Sequence, residues 1–141
     1  MKAFFQIYFL TLGLILLAGS CYEEPPVYLE VSDYILTVRE NSVHDQYIGI
    51  IPSEVNNGDV MTVFTILSQS PENAIYILSG YSSTKKGTVY VDDETVFDFE
   101  TNPIITAVVK VEAVSYDHFY QPEIRDSKTI TLTINLIDLH E

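Results

Sequence analysis

The sequence contains a single cysteine, Cys21, so no disulfide can form within the chain. Positive charge is also scarce: seven lysines and arginines stand against 20 aspartates and glutamates, and the formal net charge is −13. So large a negative excess argues against nucleic acid or an anionic membrane surface as a partner, because like charges repel. It is compatible with solubility or with the binding of cations.

Sequence motifs for catalysis and zinc binding are absent as well. The three histidines, His44, His118 and His140, are scattered and share no ligand spacing with the cysteine or with one another. The adjacent acids at 92–94 would point apart in a turn, and we expect them to be solvated. No glycine-rich phosphate loop, nucleophile elbow or zinc-binding helix motif occurs. We therefore predict a protein that is not an enzyme.

The N-terminus has the layout of a signal peptide. Lys2 precedes an almost wholly apolar run over 3–18, and small residues lead into Cys21. A membrane-spanning helix would need roughly 20 apolar residues, and the charged, proline-rich stretch at 22–26 ends the run too early. We therefore expect residues 1–20 to be removed, which also removes Lys2 and leaves a strongly acidic domain.

The stretch Leu17–Cys21 resembles the lipobox of bacterial lipoproteins, in which the cysteine is acylated and becomes the first mature residue. The usual leucine lies one position too early here, since Ala18 stands three residues before the cysteine. The alternative is an ordinary signal peptide with an incidental cysteine, but a lone thiol in an oxidising compartment is a liability. The resemblance implies lipidation at Cys21, a short tether over 21–26 and a cell-envelope location on the outer membrane. The pair Glu23-Glu24 resembles the surface-export signal of some Bacteroidetes lipoproteins.

The rest of the chain has the alternation of apolar and polar residues that is typical of β-strands, and no sustained helical period. The clearest strand is Thr129–Leu136, where isoleucines and leucines alternate with threonines and an asparagine. Six more candidates cover 34–38, 47–51, 60–66, 74–78, 88–91 and 105–113. Seven short strands predict an all-β, Greek-key, immunoglobulin-like sandwich over residues 27–141. Spacing alone leaves barrel closure open.

A series of short motifs resembles a cadherin repeat over residues 26–141. In order, they are Tyr34 with Val38 and Glu40-Asn41, the loop 52–58, Phe64-Thr65-Ile66, Gly87-Thr88-Val89, the stretch 97–100, and the closing strand 131–138. The resemblance implies a seven-stranded cadherin-type sandwich with an adhesion or protein-interaction role. It implies either another protein or a second copy of the chain as a partner, while the lipobox resemblance implies the membrane as a partner through the lipid anchor.

The resemblance also implies a weak calcium site at one end of the sandwich. Calcium takes six to eight oxygen ligands, so such a site needs carboxylates from several loops. The positions that match the family's ligands are Glu40, Asp98, Glu100 and Asp138, and Glu141 could add an oxygen where the linker departs from the family pattern. The opposite end matches poorly, with Glu54, Asn56 and Ala113 at the ligand positions. The alternative is that these acids cap turns or are solvated and bind no metal.

A long loop is predicted over 115–128, and it carries the aromatic residues Tyr116, Phe119 and Tyr120. Long loops in compact domains are often functional. These rings could contact a glycan, a protein or lipid headgroups, or they could simply cover the end of the sandwich. Two further functions therefore stay open: a glycan-binding accessory lipoprotein, or a calcium-independent remnant of a multi-repeat adhesin. Because seven strands separate the two ends, we expect the N-terminus and the acidic cluster at opposite poles.

Overall fold

The computed structural model of the chain describes residues 24–79 and 86–139. The predicted signal peptide, the lipidation site Cys21 and the candidate ligand Glu141 lie outside the described residues. Within the described part of the chain, no helix has the length and apolar character needed to cross a membrane.

The described chain consists almost entirely of β-strands joined by short turns. The elements are β1 (Leu29–Glu30), β2 (Tyr34–Arg39), β3 (Tyr47–Pro52), β4 (Glu54–Val55), β5 (Met61–Ser70), β6 (Ile75–Leu78), β7 (Lys86–Val91), a 3-10 helix (Glu94–Val96), β8 (Ile104–Tyr116) and β9 (Pro122–Ile137). All seven strands predicted from alternation are present, and the very short β1 and β4 are additional.

Two main sheets form the sandwich. One has the order β2-β9-β8-β5 and the other β3-β7-β6, while β1 and β4 form a separate two-stranded pair. β2 runs parallel to β9, and the other pairings in the main sheets are antiparallel. The prediction of an all-β, immunoglobulin-like sandwich is therefore confirmed.

The core lies between the two sheets and is lined by the inward residues of each alternating strand. On β9 these are Ile130, Leu132, Ile134 and Leu136, all buried as the alternation predicts. One close contact between the sheets needs a glycine, because a Cβ atom at Gly87 would lie 2.8 Å from Cδ1 of Phe64. The absence of a side chain at Gly87 lets the buried Phe64 ring pack against the backbone of β7.

The prediction of a long loop over 115–128 is wrong. β8 extends to Tyr116 and β9 begins at Pro122, and these two residues pair across a hairpin, which leaves only 117–121 as the turn. The ladder passes a bulge after Ala113, and polar residues beyond that point hide the strand from an alternation argument. Asp117 shapes the turn, since one of its oxygens accepts the N–H groups of Phe119 and Gln121, both at 2.8 Å.

The N-terminal segment lies against the start of this hairpin's second strand. Arg125 donates to the Glu24 carboxylate at 2.6 Å, and Asp126 accepts the N–H of Leu29 at 2.8 Å. Asn56 holds the same segment by accepting the Tyr28 N–H at 2.7 Å. We call this end, with the turn 117–121, the hairpin pole. β9 has 16 residues, so at about 3.3 Å per residue its other end lies roughly 50 Å away.

Candidate metal centre

Glu40 begins the site at the far end, which we call the acidic pole. It follows β2 directly, and its backbone N–H donates to Ile137 at the end of β9, 3.1 Å away. The side chain is only 6% exposed. Its two carboxylate oxygens accept the N–H groups of Phe99, at 3.1 Å, and Leu139, at 2.5 Å. Glu40 therefore ties together three segments that are distant in sequence.

Asp98 and Glu100 lie in a tight turn between the 3-10 helix and β8. Asp98 accepts the hydroxyl of Thr101 at 2.5 Å and the N–H of Glu100 at 3.2 Å, and its carbonyl accepts the Asn102 N–H at 2.8 Å. These bonds curl the chain so that both acids face Glu40. Ligand oxygens of Glu40, Asp98 and Glu100 all lie within 4.8 Å of one another.

The two turn acids differ in their affinity for protons. Hydrogen bonds from Thr101 and Glu100 lower the pKa of Asp98, because they favour the charged carboxylate. The backbone N–H of Glu100 lowers the pKa of its own carboxyl group, but this is outweighed by the hydrogen bond with Asp98, by slight desolvation and by the charges of Glu40 and Asp98. The net result is a raised pKa for Glu100. Negative charge at this pole is thus crowded enough to favour a proton or another cation.

The remaining predicted ligands do not join this group. Asp138 is half-buried and follows β9 at the same pole, but it is not among the side chains that come within 4.8 Å of one another. Glu141 lies outside the described residues. Three carboxylates offer at most about six oxygens, so a calcium ion here would also take ligands from the backbone, water or a partner.

The opposite pole has no comparable cluster, and the described residues contain no other group of three or more acidic, histidine or cysteine side chains so arranged. Asn56 is engaged with the backbone of Pro26 and Tyr28. Ala113 is fully buried and offers no side-chain oxygen. Asp117 is occupied by the hairpin turn. The structure therefore places its candidate metal ligands at one end only.

The hairpin pole instead presents aromatic side chains to solvent. The exposed fractions are 53% for Tyr116, 82% for Phe119 and 85% for Tyr120. The alternative that these rings cover the end of the sandwich is therefore wrong. Tyr120 adopts a left-handed backbone conformation with φ of 59°, which allows the tight turn and turns the chain back into β9.

No protein-family model and no curated protein matches the chain. Solved structures do match it, and they identify the type of β-sandwich. The human desmocollin-1 ectodomain matches 82% of this chain with a TM-score of 0.60 and 21% identity. The fold is cadherin-like. Human CDH23 EC21-23 matches 82% of the chain at a TM-score of 0.58 and 12% identity, and human protocadherin-24 EC1-2 matches 81% at 0.58 and 13%.

This cadherin-like chain corresponds to only part of each of those structures. The matches cover 22% of the desmocollin-1 chain, 34% of the CDH23 chain and 53% of the protocadherin-24 chain. Identities this low establish the fold alone. One fold serves many functions, so the function of this chain depends on the residues at its two poles and on its sheet faces.

Proposed function

We propose that this chain is a cell-envelope lipoprotein whose cadherin-like module binds calcium at the acidic pole and serves in adhesion or protein interaction. The observation that carries the calcium proposal is the convergence of Glu40, Asp98 and Glu100, with ligand oxygens within 4.8 Å of one another. Two unit charges at that separation repel by on the order of 1 kcal/mol in water and by several in a less polar setting. A divalent cation would convert this repulsion into attraction.

The chemistry of the donors favours calcium over zinc. All three side chains are carboxylates, which suit hard cations, and neither a histidine nor a cysteine belongs to the group. None of the ion pairs formed by the described residues involves these three acids. Glu40 is fixed by two backbone N–H groups, whereas the side chain of Glu100 is exposed and can adjust to the irregular geometry that calcium accepts.

The lipid anchor is proposed from the signal-peptide pattern and from Cys21. The contact of Glu24 with Arg125 places the N-terminal segment at the hairpin pole, which supports an anchor at this end of the domain. A membrane anchor attached ahead of Glu24 would leave the acidic pole pointing outward, where it could meet a partner. Mass spectrometry of the purified protein tests the anchor: we expect an acyl group on Cys21 and its loss in the variant Cys21→Ser. An unmodified Cys21 would contradict this part of the proposal.

The calcium proposal is tested by thermal unfolding of the purified mature protein with millimolar calcium or with a chelator. Calcium at 100 times its dissociation constant adds about 2.7 kcal/mol of stability, so we expect a clear rise in Tm. The double variant Asp98→Asn, Glu100→Gln should lose this rise. A matched control, Asp59→Asn with Glu123→Gln, removes the same charge at the hairpin pole and should keep it. Equal calcium responses in all three proteins would rule out the acidic pole as the site.

A second candidate function is glycan binding at the hairpin pole, favoured by the exposure of Phe119 and Tyr120 at 82% and 85%. Exposed aromatic rings can stack on the apolar faces of sugars, and Asp117 fixes the turn that presents them. Replacing Phe119 with Ser should then abolish binding to a glycan panel while the Tm response to calcium is unchanged. Self-association that requires calcium would favour the adhesion role instead.

A further inference from the structure

The outer face of the three-stranded sheet carries a row of three tyrosines that the sequence reasoning missed. Tyr47 of β3 pairs in register with Tyr90 of β7, and Tyr90 pairs with Tyr76 of β6. The Tyr76 and Tyr90 rings are stacked, with centroids 5.3 Å apart, and Tyr47 meets the Tyr90 ring edge-on at 6.1 Å. The three side chains therefore form one continuous aromatic surface across the sheet, which we call the tyrosine row.

The next outward positions on the same three strands extend this surface with two aliphatic side chains and a threonine. Ile50, Thr88 and Leu78 are in register with one another, and Leu78 is 53% exposed. Tyr47 is exposed to the same extent, 53%. An aromatic and aliphatic centre of this kind is typical of a protein interface rather than of a freely solvated sheet face.

One margin of the tyrosine row is strongly acidic. The Tyr76 hydroxyl donates to the carboxylate of Asp45 at 2.7 Å, and Asp92 directly follows β7. His44 lies between these two acids: its Nε2 is 3.4 Å from Asp45, and its Nδ1 is 4.0 Å from the Asp92 carboxylate. Glu94 also contacts this loop, because its carboxylate accepts the backbone N–H of His44 at 3.0 Å. The margin thus already surrounds one side chain that can carry positive charge.

We propose that the tyrosine row and its acidic margin dock an arginine-bearing segment of a partner protein. A guanidinium is planar, so it can stack on a tyrosine ring while pairing with a carboxylate. Tyr47 supplies an exposed ring, and Asp45 and Asp92 supply the charge. A second copy of the chain fits less well, because two molecules of net charge −13 repel each other. The proposal rests on the protein-interaction role proposed above but does not need calcium.

A titration of the ¹⁵N-labelled protein with blocked peptides of alternating glycine and arginine tests this, in chelator and at moderate salt. We expect the amide signals of Tyr47, Tyr76 and Tyr90 to shift with a saturable response. The same peptide with citrulline in place of arginine keeps the planar shape without the charge and should bind far more weakly. Shifts that spread over both poles, or equal binding of the citrulline peptide, would overturn the proposal. Saturable binding of an uncharged glycan at the tyrosine row instead would also overturn it.

Substitutions then separate specific docking from general attraction to an acidic protein. Tyr47→Leu keeps apolar contact but removes the ring, and should weaken binding about threefold, as expected for an exposed cation–π contact. Tyr47→Phe keeps the ring and should bind like the wild type. Unchanged affinity in Tyr47→Leu would contradict the assignment.

Charge-matched variants complete the test. Asp45→Asn with Asp92→Asn should weaken binding more than Asp59→Asn with Glu123→Gln, which removes the same charge at the hairpin pole. Asparagine tolerates the left-handed conformation of Asp45, whose φ is 63°, so the first variant should fold. Equal losses in the two double variants would show attraction by net charge alone. Such a result would leave the calcium proposal untouched, because that proposal is measured by the Tm response to calcium.

Discussion

The carboxylate of Glu40 accepts the backbone N–H of Leu139 at 2.5 Å, across 99 residues of sequence. Together with the bond from the Phe99 N–H at 3.1 Å, this contact joins the end of β2, the turn before β8 and the segment after β9. Glu40 is thus a structural residue even before any cation binds. The same carboxylate also belongs to the acidic cluster, because ligand oxygens of Glu40, Asp98 and Glu100 lie within 4.8 Å of one another.

Replacing Glu40 with Gln should therefore destabilise the protein without calcium. A glutamine offers one acceptor oxygen where the carboxylate offers two, so one of the two backbone N–H groups would lose its partner. A fully buried donor without a partner costs about 1–3 kcal/mol, and because both of these bonds are only partly buried, we expect a loss of about 1 kcal/mol. Urea unfolding in chelator measures the difference directly. The exposed Glu30 provides a control, because Glu30→Gln should change the free energy of unfolding by less than about 0.5 kcal/mol. Equal stability of the two variants would show that the Glu40 bonds contribute little.

The calcium response should depend on pH in a direction set by Glu100. The pKa of Glu100 is raised from its ordinary value of 4.5, so this group takes up a proton first as pH falls. Calcium needs the ionised carboxylate, and we expect the calcium-induced rise in Tm to shrink on acidification, beginning above pH 4.5. Without calcium, the ionised form of Glu100 should instead lower the stability of the fold. A raised carboxyl pKa means that the charged form is disfavoured in the folded state, so Glu100→Gln should raise the Tm in chelator. A calcium response that is constant down to pH 4.5 would contradict this.

Alternation in the sequence was sufficient to predict the seven long strands, because each has one face on the core and one in solvent. It could not predict β1 and β4, which have two residues each and show no period. The sequence predicts a loop over 115–128 where the structure has a hairpin, because β9 begins with polar residues around Arg125, where the hairpin extends beyond the core. Thr101 and Leu139, which orient Asp98 and Glu40, carry no sequence signal, since their roles depend on contacts that only the fold creates.

Tyr76 should ionise at unusually high pH. Its hydroxyl donates to Asp45, and this bond, with partial desolvation and the neighbouring negative charges, raises its pKa to about 12. A raised pKa stabilises the neutral hydroxyl in the folded state, so this contribution is fully present below pH 10 and is lost as pH rises through about 12. Spectrophotometric titration should show a late-ionising tyrosine that disappears in Tyr76→Phe. The variant Tyr28→Phe removes an exposed tyrosine elsewhere and should leave that late step in place.

Arg125 should hold the N-terminal segment against the hairpin pole. Its guanidinium is 2.6 Å from Glu24, and its side chain is only 18% exposed. Glu24 is 66% exposed, and ion pairs with a solvent-exposed partner contribute little to global stability, commonly about 0–1 kcal/mol, so Arg125→Met should change the Tm only slightly. Hydrogen exchange at the amides near Glu24 should nevertheless accelerate, because that segment loses a contact. Lys110→Met breaks the Lys110–Glu112 pair instead and should leave exchange at the N-terminal segment unchanged; acceleration in both variants would count against a local role for Arg125.

Two glycines provide the sharpest test of the packing between the sheets. A Cβ at Gly87 would lie 2.8 Å from Cδ1 and 2.9 Å from Cγ of the buried Phe64 ring, whereas a Cβ at Gly58 would meet nothing within 4 Å. Gly87→Ala should therefore destabilise the protein by about 1–3 kcal/mol, the usual range for overpacking a core. Gly58→Ala should be neutral or stabilise by up to about 1 kcal/mol, because it restricts the unfolded chain. Urea unfolding of both variants measures the contrast. If Phe64→Leu in the Gly87→Ala background restores part of the loss, the clash with the ring is its cause; an equal loss in both backgrounds would point to the backbone of β7 instead.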